Sequence, residues 1–148
     1  MGCDIHVYLE KNVDEKYDIW QRVGLYRIDE YDKNIKVVDP YNCRNYDLFA
    51  ILAGVRGQKD ALVSPRGLPK NLSQEVEKEE KWWEGGYHTP TWYDLSELYL
   101  YRKMYKDKED YGCLINFVDS IEYYLDFAGE YVYEVKPNQY RVIMWFDS

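Results

Sequence analysis

Residues 1–10 read Met-Gly-Cys-Asp-Ile-His-Val-Tyr-Leu-Glu and alternate throughout: Cys3, Ile5, Val7 and Leu9 fall on one side of an extended chain, Asp4, His6, Tyr8 and Glu10 on the other. A period of two over this length predicts a β-strand with an apolar back and a reactive front. On that front Asp4 and His6 are next-but-one neighbours, about 7 Å apart by strand rise and close enough to share a ligand. The chain has one other histidine, His88.

Residues 140–147 carry a second decisive pattern. Tyr140, Val142, Met144 and Phe146 face one way and Ile143 and Trp145 the other, so this strand is apolar on both sides and calls for a central place in a sheet. A partner is expected at residues 130–135, joined to it as a hairpin through Lys-Pro-Asn-Gln at 136–139. After the first strand, a polar turn at 11–16 leads to residues 17–28, where Ile19, Val23 and Leu25 predict a strand interrupted near Gly24 and paired back on the first. Residues 35–38 form a short β-branched strand, closed by Asp39-Pro40.

Between these lie four helical stretches. Residues 45–55 have Asn45 as cap, an apolar stripe of Leu48, Phe49, Ile51, Leu52 and Val55, and Gly54 at the end. Residues 73–83 make an acidic helix stopped by Gly85-Gly86. Thr91 and Asp94 form a capping box for a helix to Tyr105 with Leu95, Leu98 and Tyr99 inward. Leu114, Ile115, Phe117, Val118, Ile121, Tyr124 and Leu125 have helical spacing up to Gly129. His88-Thr89-Pro90 reads as loop, as do residues 56–70, which hold two Gly and two Pro. The expected fold is α+β, a single domain over 1–148. Its mainly antiparallel sheet is formed by the N-terminal and C-terminal hairpins, and about four helices pack on the face bearing Ile5, Val7 and Leu9.

A chain of 148 residues can bury roughly two thirds of its unfolded surface without staples. The formal charge of −8 argues against an extended nucleic-acid footprint. Three widely spaced cysteines, Cys3, Cys43 and Cys113, read as free thiols of a reducing compartment. No secretory leader or apolar run of membrane length is expected, so the protein is read as soluble and cytoplasmic.

Three groups of residues are candidates for chemistry. Asp-x-His on a strand is how metallophosphoesterases begin their ligand set, and Asp4, His6 and His88 could hold a single divalent metal ion. The later Asp, Asn and His elements of those enzymes are missing, and hydrogen bonds within the fold are the competing use. Arg56-Gly57 and Arg66-Gly67 bracket the long loop; each guanidinium beside flexible backbone suits a clamp on phosphate or carboxylate, or else tethers the loop to carbonyls and acidic side chains. Around His88 the chain gathers Trp82, Trp83, Tyr87, Trp92 and Tyr93, whose rings could stack a nucleobase or anchor a corner of the core. Nucleotide-binding glycine loops, a nucleophile elbow and Cys-x-x-Cys are absent from the sequence.

The segments MGCDIH, RNYDLFAILAGVRG, SPRGLP with its following acidic helix, His88 before a tryptophan and a capped helix, and RVIMWFD together resemble a family of small proteins of bacteriophages and prophages. The resemblance implies a setting in the cytoplasm of a bacterial host, where such proteins bind or destroy nucleotide signals of immunity or block a defence enzyme. The leading expectation is a ligand-binding protein for a nucleotide-like or phosphorylated small molecule. Its pocket is expected from Asp4, His6, Arg56, Arg66, His88 and Trp92, with no cofactor. The alternatives are a single-metal phosphoesterase on Asp4, His6 and His88, and an acidic, tyrosine-rich inhibitor that binds a host protein.

Overall fold

The computed structural model describes residues 2–132 and 136–148. In chain order the elements are β1 (Asp4–Asp14), β2 (Ile19–Val23), β3 (Leu25–Ile28), β4 (Ile35–Val38), α1 (Tyr46–Ala53), α2 (Gln74–Trp82), β5 (His88–Asp94), α3 (Leu95–Tyr105), α4 (Gly112–Phe127) and β6 (Tyr140–Asp147). Four strands form an antiparallel sheet in the order β2-β1-β6-β5, while β3 and β4 pair as a separate ribbon. The fold is α+β, with its first and last strands adjacent at the centre of the sheet.

The two-sided apolar pattern of β6 explains that arrangement. Every residue from Tyr140 to Phe146 is buried, which requires strands on both edges and cover on both faces. One face carries Ile5, Val7, Leu9, Val142, Met144 and Phe146 against α1, α3 and α4, through Leu48, Phe49, Leu98, Phe117 and Ile121. The other carries Tyr8, Ile143 and Trp145 beneath Val76 of α2, with Leu68, Leu72 and Trp83 around them. Three helices therefore cover the expected face, and the acidic helix covers the opposite one. It does so because Val76 is its one fully buried residue, just enough to seat a charged helix on a tryptophan-rich surface.

Local capping follows the expected chemistry. The Asn45 side chain accepts the Leu48 N–H, and Gly54 closes α1 in the left-handed region; Ser73 caps α2 through the Val76 N–H. Gly24 separates β2 from β3, which belong to different sheets. Three expectations change. The segment 88–94 is an edge strand, because Pro90 lacks a donor and sits where β5 shifts register against β6 between His88 and Thr91. The capping box lies three residues later than expected, with Glu97 accepting the Asp94 N–H at 2.9 Å. β6 takes β1 and β5 as neighbours; of the partner strand expected at 130–135, residues 130–132 form no strand and 133–135 lie outside the described residues.

A charged pair lies inside this apolar frame. Glu10 and Arg141 are directly opposed in the β1–β6 register and are 0% and 4% exposed. The Glu10 Oε1 lies 2.7 Å from both Nε and Nη2 of Arg141. Its Oε2 accepts the Ser73 N–H at 2.6 Å, and Arg141 donates to the Asn71 carbonyl at 3.1 Å. The Trp20 ring closes the cluster, 3.8 Å from the guanidinium. The pair thus fastens the entry of α2 to the sheet.

Glu10→Ala leaves Arg141 charged and buried, and is expected to lower the unfolding free energy by about 3–5 kcal/mol, measured by urea denaturation. Gly57→Ala has a steric cause instead: a Cβ there would stand 2.5 Å from the Tyr46 carbonyl oxygen and 2.7 Å from the Ala50 methyl. It is expected to cost about 1–3 kcal/mol in the same measurement.

Candidate functional site

The six residues singled out from sequence fall in four places. Asp4 and His6 lie at one end of the sheet, on the face of Tyr8 and Glu10. Asp4 accepts from Arg44, Nε to Oδ1 at 2.7 Å and Nη2 to Oδ2 at 3.3 Å. These bonds, with the charge of Arg44, hold its carboxyl below the usual range. His6 Nε2 is 3.2 Å from Asp147 Oδ2, and its ring centroid is 4.5 Å from that of Trp83. Arg44, Asp147 and Trp83 were invisible as partners in sequence, because the course of residues 39–45, the β1–β6 register and the seating of α2 on the sheet place them.

His88 lies beside Phe146 in the β5–β6 register, its ring stacked on that phenyl at 6.2 Å. Phe146 shares the face of Ile5, opposite to Asp4 and His6. The imidazole nitrogens meet the hydroxyls of Thr89 and Ser148 at 2.9 and 2.8 Å. The structure does not bring Asp4, His6 and His88 together. Among the described residues no three His, Cys, Asp or Glu side chains form a group that could hold a metal ion. The three cysteines are free, with Cys3 buried and Cys43 exposed; burial pushes the Cys113 thiol up.

The two Arg-Gly pairs have different tasks. Arg56 is exposed at the end of α1, with a left-handed backbone (φ 67°) and its guanidinium 5.9 Å from the Tyr46 ring. Arg66 tethers the long loop to the outer edge of β5. It makes two 2.7 Å bonds to the Glu97 carboxylate and donates to the Trp92 carbonyl at 3.1 Å. Gly67 donates to the Pro90 carbonyl at 2.9 Å. The loop therefore covers a sheet edge that would otherwise expose unpaired backbone.

Arg66 and Trp92 do line a concavity, of about 480 Å³, at the far end of the sheet from Asp4. Its other walls are Trp20 of β2, the segment Leu68 to Lys70, Asp94 and Asp18, with Arg141 between β1 and β5. The Arg66 guanidinium stands 5.0 Å from the Trp92 ring, as Arg141 stands against Trp20. Both arginines are committed to carboxylates, so they set the indoles in place and carry no spare charge. Asp18 accepts from Asn71 at 2.6 Å and from Trp20 Nε1 at 2.8 Å, which holds its carboxyl low. Asp94 is pushed the other way by burial and by the nearby Glu97 charge. Lys70 is exposed on the rim and forms no ion pair among the described residues. Trp20, Asp18 and Lys70 were missed in sequence because they belong to β2, the turn before it and a loop, which the fold brings together around the buried Glu10–Arg141 pair.

A second concavity, of about 520 Å³, adjoins the first and shares Asp18 and Trp20 with it, extending along residues 71–75 at the start of α2. Comparison of the chain with protein-family models, with curated proteins and with solved structures gives no match. Among the described residues no helix is long and apolar enough to cross a membrane.

The Arg66–Glu97 pair gives the loop a pH signature. Hydrogen bonds from Arg66 hold the Glu97 carboxyl below its ordinary 4.5. A lowered folded value means that the pair stabilises above the unfolded pKa and stops doing so as pH falls through the folded one. Arg66→Ala is expected to lower the melting temperature at neutral pH, with the gap to the parent closing below about pH 4. A gap that stays constant to pH 3 contradicts this.

Proposed function

We propose that this chain is a binding protein for a nucleotide-like small molecule, held in the groove between Trp20 and Trp92. One observation carries the reading: two tryptophans on the same concavity, each backed by an arginine that is already neutralised by a carboxylate. Such indoles are fixed before a ligand arrives, so little ordering is lost on binding. Base stacking on an aromatic face contributes roughly 1–3 kcal/mol. The carboxyls of Asp94 and Asp18 supply acceptors for the amino groups of a base edge, and Lys70 supplies the point charge that a phosphate takes at the rim.

Of the residues first expected in the pocket, Arg66 and Trp92 belong to this groove, and Asp4, His6, Arg56 and His88 stand outside it. The resemblance to small phage proteins supports the reading of such a ligand as one of the nucleotide signals in the cytoplasm of a bacterial host. A phosphoesterase built on a metal at Asp4, His6 and His88 finds less support, since His88 flanks the opposite face.

The test is titration of intrinsic tryptophan fluorescence with nucleoside monophosphates, their nucleosides and cyclic dinucleotides. Trp92→Ala is expected to weaken binding by about 5- to 150-fold, the stacking contribution expressed as an affinity ratio. Lys70→Ala should weaken phosphorylated ligands and leave nucleosides unaffected, and Arg56→Ala should change neither. Absence of saturable quenching across the panel, or equal loss with Arg56→Ala, overturns the reading.

A further inference from the structure

The β3–β4 ribbon is the part of the fold whose order is least explained by its own burial. Its tip is built with care: the Asp29 carboxylate accepts the N–H groups of Tyr31 and Asp32 at 2.8 and 3.2 Å, and Lys36 Nζ reaches Asp29 and Asp32 at 3.1 and 3.3 Å. Its base is pinned to α4 by one hydroxyl. Tyr124 accepts the Leu25 N–H at 2.8 Å and donates to the Val38 carbonyl at 2.6 Å. A two-stranded ribbon is marginal in water by itself, yet this one holds Tyr26, Ile28 and Ile35 at 61%, 67% and 72% exposure.

The register sorts its side chains. Tyr26 opposes Val37 and Ile28 opposes Ile35, all on one face; Leu25 opposes Val38 and Arg27 opposes Lys36 on the other. The backbone alternates as well. The tip closes with Asp29 N–H to the Asn34 carbonyl at 2.8 Å, so the 29/34 and 27/36 pairs point inward and the N–H and C=O groups of Tyr26 and Ile28 point out along the β3 edge.

We infer that the β3 edge is a strand-addition site for an extended segment of another protein, in which apolar residues alternate with acidic ones. Charge decides between this occupant and a second copy of the chain. Two β3 edges paired about a two-fold axis, with the outward groups of Tyr26 and Ile28 bonded across it, put Arg27 directly against Arg27. The corresponding pairing of two β4 edges puts Lys36 against Lys36. Like charges directly opposed in a non-hydrogen-bonded pair are destabilising. An incoming acidic residue meets Arg27 favourably, and Arg27 has no ion pair among the described residues, whereas Lys36 is already held by two carboxylates. Apolar residues on either side of that acid join the face of Tyr26 and Ile28, and the main-chain bonds supply the rest of the affinity.

The inference is independent of the tryptophan groove. Its test uses the full chain and a labelled eight-residue peptide of alternating valine and glutamate, with a valine–lysine peptide as counterpart. The expected result is an anisotropy change with the glutamate peptide, at least tenfold tighter than with lysine, and slowed hydrogen exchange at the Tyr26 and Ile28 amides. Arg27→Glu, an exposed substitution whose fold is checked by circular dichroism, should reverse the preference to the lysine peptide. Failure of both peptides to bind, binding that leaves those two amides unprotected, or binding insensitive to Arg27→Glu overturns the inference. Protection that grows with protein concentration in the absence of peptide also overturns it, and assigns the edge to a second copy.

Discussion

The contact on which the rest depends is the buried pair of Glu10 and Arg141. Two charges removed from water recover their desolvation cost only when every remaining donor and acceptor is met, and here the main chain of Asn71 and Ser73 completes the set. The pair therefore acts as a lock on register. Slipping β1 by one residue against β6 would send Glu10 to the face of Ile5 and Phe146, among side chains that offer it nothing. It also joins layers: the segment that starts α2 reaches the sheet through the same two side chains, so the acidic helix needs little apolar surface of its own.

The two ends of the sheet use their polar groups in different ways. At the end of Asp4 and His6 the polar groups consume one another, carboxylate with guanidinium and imidazole with carboxylate. At the end of Trp20 and Trp92 the charges are also paired, but the pairing leaves aromatic surface and one lysine facing solvent. Edge protection follows the same division. The outer edge of β5 is sealed by Arg66 and Gly67, while the outer edge of β3 has no main-chain partner among the described residues.

Much of the fold was legible because its signals were local. Period two in residues 1–10 and 140–147, Asn45 and Gly54 around α1, and the split at Gly24 all correspond to elements found. Segment 88–94 was harder. A proline and a bulge hide its alternation, and it is the long-range pairing with β6, its outer edge covered by the loop of Arg66, that makes it a strand. The position of α2 was likewise set at long range, by contacts more than sixty residues away in sequence. For the same reason Asp4, His6, Arg66 and His88 looked alike as polar candidates: the sequence shows their chemistry, but register decides which face and which end of the sheet each occupies.

Trp20 has a position that links the core to the surface. Its ring is common to both concavities and rests against Arg141, whose own place is dictated by Glu10. The partition between two adjoining spaces of about 480 and 520 Å³ is therefore held by a charge buried beneath it. The shape of this surface is tied to the inside of the sheet: the side chain common to both recesses rests 3.8 Å from the guanidinium of the buried Arg141.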